Sequence, residues 1–326
     1  MHSRTDADFS SDAARWAAVQ AGTAAAEGHF WTAVRTTGIY CQPSCPARLP
    51  QRANVAFYDS REAAEQAGYR PCRRCRPDLP AEAKRQRARG PHRIEERVAS
   101  LDWARIGEEL DSGGFGLTGP LLTEAECRAL AAGYDEEGLY RSRVVMQRHG
   151  FGLGEYKYFA YPLPPAVEAL RRAIYPRLAV FANAWMKALG EDRHFPARLE
   201  DFLETCHAAG QIRPTPLVLR YGPGDYNCLH QDLYGDLAFP LQLAVLLDQP
   251  GADFEGGEFV LTEQRPCMQS RAEVVPLRRG EAVVFAVNQR PVQGSRGVYR
   301  VKLRHGVSRL RSGRRHTLGI IFHDAS

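Results

Sequence analysis

Four cysteines stand as two close pairs near the start of the chain: Cys41 and Cys45, a gap of twenty-six residues, then Cys72 and Cys75. The C-x3-C and C-x2-C pairs offer four thiolates, the donor set that a tetrahedral Zn²⁺ takes at about 2.3 Å per sulfur. Two disulfides or four unrelated buried thiols are the alternatives, and a reducing compartment disfavours the first. A second donor set lies far along the chain. His230-Gln231-Asp232 is followed by His305, and Arg315 comes ten residues after that. Two imidazoles and one carboxylate form the facial set that binds Fe(II) with coordination positions left open. The planar cation of Arg315 suits the far carboxylate of an oxo-acid such as 2-oxoglutarate, and Tyr221, nine residues before His230, can add a hydrogen bond to the same cosubstrate. His316 and His323 compete for the distal histidine position. The spacing to Arg315 favours His305.

These donors need rigid elements to hold them. Apolar spacing predicts a helix over residues 12–22, strands at 30–34 and 55–58, and a helix from Ser60 as N-cap to Ala67, closed by Gly68. A module this small cannot rely on its core alone, and a structural metal suits its size. Residues 77–98, with Lys84, Arg85, Arg87 and Arg89 between prolines, read as a mobile basic linker. Helices are predicted at 103–110, 123–133, 165–189 and 199–208, and strands at 144–148 and 156–161. Strand-like runs follow at 216–221, 241–247, 258–261, 273–277, 281–286, 298–304 and 315–322, with a turn at Ser312-Gly313. Helices first and strands after predict a two-domain α+β chain: a small zinc-bound α/β module at 1–80, the linker at 81–98, and a double-stranded β-helix, or jelly roll, with flanking helices at 99–326.

Length and charge agree with that division. The chain has 326 residues, enough for two domains. Residues 1–90 hold 14 Lys/Arg against 9 Asp/Glu, a net of +5, while residues 91–326 hold 29 of each. The basic excess confined to the cysteine half is the footprint of a polyanion binder, and Arg48, Arg70 and Arg74 lie beside the cysteines where they can reach phosphates. No stretch approaches the ~18 apolar residues of a membrane helix, and the polar start, Met1 to Ser11, is no secretion signal. A cytoplasmic protein without a membrane partner is expected, with Cys127, Cys206, Cys228 and Cys267 as free thiols.

The flanks of the cysteines carry a resemblance. Arg15-Trp16, the run Arg35-Thr-Thr-Gly-Ile-Tyr-Cys-Gln-Pro-Ser-Cys-Pro-Ala-Arg48 and the run Ala67-Gly-Tyr-Arg-Pro-Cys-Arg-Arg-Cys-Arg-Pro-Asp78 closely resemble the N-terminal domain of the Ada DNA-repair family, over about residues 13–80. The resemblance implies that Cys41, in Ile39-Tyr40-Cys41, accepts a methyl group from a methylated DNA backbone phosphate while Cys45, Cys72 and Cys75 hold zinc. Metal-held thiolate is the nucleophile, the thioether product does not turn over, and the loss of one negative charge raises affinity for DNA. Gln42 stands where that family often has a basic residue. A zinc module that only binds nucleic acid, or four cysteines that are purely structural, therefore stay open.

Residues 100–326 resemble the 2-oxoglutarate/Fe(II) dioxygenases, most nearly the prolyl-hydroxylase-like branch, through His230-x-Asp232, His305 and Arg315. Gly256-Gly257-Glu258-Phe259 and Gly313-Arg314-Arg315-His316-Thr317-Leu318 fit that branch as well. The resemblance implies an O₂- and 2-oxoglutarate-dependent hydroxylation or oxidative demethylation. The last strand lacks the second arginine of the signature carried by dioxygenases that dealkylate DNA bases. A protein or prolyl hydroxylase with a scaffold zinc domain is the remaining alternative.

Overall fold

The structure, a computed structural model, describes residues 9–326 apart from 46, 48, 73, 74, 76, 79–92, 233 and 234. The chain divides into two compact units, Met1–Pro91 and His92–Ser326. Among the predicted DNA-contacting arginines, Arg48 and Arg74 lie outside the described residues, as do the linker cations from Lys84 to Arg89.

The first unit is built on a four-stranded sheet of β1 (Trp31–Val34), β2 (Ile39–Cys41), β3 (Val55–Tyr58) and β4 (Arg70–Pro71), in the order β3-β1-β2-β4. The helix Asp12–Ala21 starts at Ser11, whose hydroxyl accepts from the Ala14 N–H, and ends at left-handed Gly22. The helix Arg61–Gln66 is capped by Ser60 as the sequence predicts. Two small apolar clusters, Ala18/Ala26/Phe30 and Ala33/Tyr40/Ala64, form its core. The pairing that matters most was not visible in the sequence. Short β2 and β4 run parallel, with Tyr40 opposite Pro71, and the Cys72 N–H donates to the Tyr40 carbonyl at 3.0 Å.

The second unit is a two-sheet sandwich with helices on one side. Its larger sheet takes β5 (Phe115–Pro120), β6 (Tyr140–Val145), β8 (Glu155–Phe159), β9 (Leu217–Tyr221), β11 (Leu241–Leu246), β15 (Glu281–Ala286) and β19 (Arg315–Ile320), ordered β5-β15-β11-β19-β9-β8-β6. The smaller contains β7 (Gly152–Leu153), β10 (Tyr226–His230), β13 (Phe259–Gln264), β14 (Arg271–Val275), β16 (Gln289–Gly294) and β17 (Gly297–Val307). A separate pair joins β12 (Phe254–Gly256) to β18 (Leu310–Gly313). Alternate residues of β11 serve two cores. Leu241, Leu243 and Val245 pack with the long helix Pro165–Leu189 through Val167, Leu170, Ile174 and Leu178, while Ala244 and Leu246 pack with Phe259, Leu261 and Val307 of the facing sheet. A strand covered on both faces reads as a continuous apolar run.

Several expectations need correction. The predicted linker ran to residue 98, but the helix Ile94–Ala99 belongs to the second unit, because Ile94 and Val98, one helical turn apart, are buried in its core. Ser312 and Gly313 are not a turn: they lie in β18, opposite Glu255 and Phe254. The strand predicted at 144–148 ends at Val145 and gives way to a 3₁₀ turn, Met146–His149.

Two candidate metal centres

The cysteine centre is assembled by the β2–β4 pairing. Cys41 ends β2, and the turn after it brings the Cys45 N–H to the Gln42 carbonyl at 3.1 Å. Cys72 leaves β4 beside it, and Cys75 lies in the turn that follows. All four sulfurs lie within 4.8 Å of one another, with Cys72 buried and the other three half-buried. Thiols this crowded cannot all ionise without a cation. The hydrogen bond Cys41 donates to Cys75, then burial, pushes the Cys41 thiol well above its ordinary value; that same bond holds Cys75 down at about 5. Burial pushes Cys45 up to about 11. A dication is the natural complement of such a donor set. The sulfurs also differ in hydrogen bonding. Cys75 accepts from the Gln42 N–H at 3.5 Å and Cys45 from the backbone at Ala47, whereas among the described residues no backbone N–H reaches the Cys41 sulfur. Arg70, at the exposed edge strand β4, is two residues from Cys72.

The second centre joins strands of the smaller sheet. β10 and β17 are antiparallel with Asn227 opposite Val307 and His230 opposite His305, so β10 carries a bulge between Asn227 and His230. The extra residue re-aims His230 to the same face as His305, and their ring centroids are 4.2 Å apart. The strands approach closely at Gly306, where a Cβ would lie 2.7 Å from the Asn227 carbonyl oxygen. His230 Nε2 lies 3.3 Å from Asp232 Oδ1, and His305 Nε2 lies 3.3 Å from Asp232 Oδ2. The three donor atoms fall within 4.8 Å of one another. Nδ1 of His230 is 2.8 Å from the Cys228 carbonyl. That carbonyl can only accept, so Nδ1 carries the proton and Nε2 is left as a ligand. His305 is held instead by rings, Phe285 at 4.6 Å and Phe259 at 5.9 Å. Burial would raise the Asp232 carboxyl, but the two imidazoles outweigh it and hold it well below the ordinary range. Burial lowers His305, which keeps it neutral and able to ligate. The competing histidines are elsewhere: His316 pairs with Asp248 at 2.9 Å, and His323 accepts from the Phe239 N–H at 3.1 Å.

Facing this cluster across a cavity of about 230 Å³ is the larger sheet, with Tyr221, Arg315 and Thr317 on its inner face. Arg315 and Tyr221 are direct neighbours on β19 and β9. Arg315 is 1% exposed, donates to the Thr317 hydroxyl at 2.5 Å, and among the described residues has no carboxylate partner. Its guanidinium lies 5.6 Å from the Tyr221 ring centre. Among the described residues the wholly buried Tyr221 hydroxyl makes no hydrogen bond of good geometry, its polar side-chain neighbour being Asn227, and Arg315 Nε has no partner either. A charge and two donors left unpaired on the buried wall of a pocket fit an anionic ligand that completes them. Gly257 makes room for the arginine. At φ +65° any side chain is strained, and a Cβ there would sit 2.9 Å from Arg315 Cδ. Sequence reasoning missed Thr317, which stands two residues beyond Arg315 on the same strand face, and it missed β10 as a strand.

Comparison with known proteins bears on both units. Residues 154–325 match the family model described as "Oxygenase, catalysing oxidative methylation of damaged DNA". The chain belongs to this oxygenase family. Residues 14–78 match the family model described as the metal binding domain of Ada, so this member joins an Ada-like module to its oxygenase domain. An uncharacterized Mycobacterium tuberculosis protein is 49% identical over 168 residues, covering 52% of this chain and 72% of that one. The bifunctional transcriptional activator and DNA repair enzyme Ada of Escherichia coli is 52% identical over 67 residues, 21% of this chain and 19% of its own length. This chain thus spans under a fifth of Ada's length. Among solved structures, a methylated N-Ada/DNA complex aligns at 33% identity with TM-score 0.23, covering 37% of this chain and 78% of that one. A Pseudomonas putida prolyl-4-hydroxylase aligns at 16% identity with TM-score 0.40, covering 69% and 99%. Among the described residues, no helix is long and apolar enough to cross a membrane.

Proposed function

We propose that the chain repairs alkylated DNA through two chemically separate centres. In the first, Cys41, Cys45, Cys72 and Cys75 hold Zn²⁺, which keeps their sulfurs ionised at neutral pH. Cys41 attacks the methyl carbon of a backbone methyl phosphotriester. The S–C bond forms as the O–C bond breaks, and the released electron pair stays on phosphate oxygen as an ordinary phosphodiester. Cys41 suits this role because Cys45 and Cys75 spend sulfur electron density on backbone N–H groups and Cys72 is buried. Arg48, Arg70 and Arg74 would hold the flanking phosphates.

In the second centre, His230, Asp232 and His305 hold Fe(II), and Arg315 with Tyr221 and Thr317 holds the far carboxylate of 2-oxoglutarate. When bound, the iron and this cosubstrate supply the oxidising power, consuming O₂ and releasing succinate and CO₂. The protein's part is to fix His230 through the Cys228 carbonyl, to keep His305 neutral between two phenylalanines, and to exclude water from Arg315 by burial. The substrate is alkylated nucleic acid, as the family description suggests, although the last strand lacks the second arginine carried by dioxygenases that dealkylate DNA bases. One observation carries the reading: three metal-type donors share a cavity with a buried arginine that, among the described residues, has no anion of its own. Succinate formation from 2-oxoglutarate tests it, with methylated oligonucleotides or prolyl peptides added one at a time. Stimulation by methylated oligonucleotides is expected. Stimulation by peptides alone contradicts the substrate assignment.

A further inference from the structure

Gln242 is a polar side chain that the two centres leave without work. It sits on the inner face of β11, in the row Gln242, Ala244, Leu246 that faces the smaller sheet. It is 4% exposed, and its Nε2 is buried with no hydrogen-bond partner. A buried amide nitrogen without a partner inside a cavity wall marks a place where a ligand supplies one. The register shows which ligand. Ala244 pairs with Gly319 and Leu246 with Thr317, so Gln242 is level with Ile321, four strand positions from Thr317. At ~3.3 Å per residue that is roughly 13 Å along the strand. A five-carbon diacid anchored at Arg315 ends short of it, so Gln242 belongs to the other occupant of the cavity.

A second feature of the same cavity describes that occupant. Phe151 lines it, is 46% exposed, and stacks on His149 with ring centroids 5.3 Å apart and planes 22° from parallel. Paired flat rings at a pocket edge suit a planar group, and base-on-aromatic stacking is the commonest use of such a platform in single-strand binding. An amide offers a donor and an acceptor side by side, which matches the polar edge of a nucleobase. We propose that Gln242 reads the edge of an unpaired alkylated base while Phe151 packs on its face. This rests on the reading that the oxygenase centre acts on alkylated nucleic acid, and it adds the residues that select the base.

The test uses the full chain with Fe(II) and 2-oxoglutarate, and three single-stranded oligonucleotides of one sequence carrying a methylated base, the unmodified base or an abasic site. Binding is measured anaerobically by fluorescence anisotropy, and succinate release is measured in air. The zinc module's affinity for backbone is common to all three probes and cancels in the ratio. Wild type is expected to prefer the methylated base over the unmodified base by about tenfold, the scale of one good amide–base pair, and either base over the abasic site through Phe151. Gln242→Leu, of similar size without polar atoms, is expected to abolish that preference, and Gln242→Glu to keep the fold while changing which base is preferred. The KM for 2-oxoglutarate separates the roles. A rise in that KM as large as the loss of base preference would make Gln242 a cosubstrate residue and overturn the assignment. A Gln242→Leu protein that keeps the tenfold preference overturns it also, with the wider reading intact. If no oligonucleotide stimulates succinate release by wild type, the wider reading itself fails.

Discussion

Arg315→Met separates cosubstrate binding from stability, because the two should move in opposite directions. In the free protein the guanidinium is 1% exposed and, among the described residues, has no carboxylate partner and an unpaired Nε. Holding an uncompensated charge in such a site costs several kcal/mol. Its compensation is small: the Thr317 hydroxyl at 2.5 Å and the faces of Tyr221 and Phe254 at 5.6 and 5.9 Å, worth about 1 kcal/mol for each kind of contact. Methionine fills similar space without charge, so the ligand-free protein should become more stable by about 1–2 kcal/mol. The bound state moves the other way. Removing the cation from a buried charge pair costs about 2–5 kcal/mol, a rise in 2-oxoglutarate Kd of roughly 30-fold or more. With Fe(II) present and O₂ excluded, 2-oxoglutarate at a hundred times the wild-type Kd stabilises wild type by about 2.7 kcal/mol, and the variant by less than about 0.9 kcal/mol. For a unit of this size that is a shift in Tm of roughly 5–11 °C against at most about 4 °C. Thermal unfolding with and without 2-oxoglutarate reads both effects at once. An Arg315→Met protein that is less stable when free, or that keeps the full ligand shift, would refute the assignment of Arg315 as an anion receptor.

Two further outcomes follow from the geometry. Gly257→Ala places a Cβ 2.7 Å from Leu310 Cδ1 and 2.9 Å from Arg315 Cδ at φ +65°; a loss of about 1–3 kcal/mol in denaturant unfolding and about tenfold weaker 2-oxoglutarate binding by calorimetry are expected. Zinc affinity should fall steeply as pH drops: without metal the Cys41 thiol is pushed up, mainly by its bond to Cys75, and Cys45 is pushed up to about 11 by burial, so at least these two must lose a proton on binding, and competition with a chelator should show apparent log Kd rising by at least about two per pH unit on going down from pH 8 to pH 6.

The donors of both centres were legible in the sequence because ligation demands particular residue types at short spacings. Cys41 with Cys45, Cys72 with Cys75, and His230 with Asp232 are each local pairs. The long-range halves were less visible. Two-residue β4 has no periodicity to detect, yet its parallel register beside β2 is what brings Cys72 to Cys41. β10 follows Gly222-Pro223-Gly224 and alternates poorly, since its bulge breaks the two-residue period, and so it read as loop. The helix Ile94–Ala99 was hidden by the basic composition just before it, although Ile94 and Val98 already stand one turn apart. Gln242 was invisible for a different reason. β11 is buried on both faces, so its sequence is apolar apart from Gln242, and only the sheet partners show which side meets the cavity.

The methyl-acceptor claim is tested most directly by incubating the zinc-loaded chain with DNA carrying methyl phosphotriesters and mapping modified cysteines by peptide mass spectrometry. One methyl group on Cys41, at a stoichiometry that never exceeds one per chain, is the result expected. Methyl on Cys45, Cys72 or Cys75, or on no cysteine at all while the DNA remains bound, would contradict it and leave the four sulfurs as a structural knot.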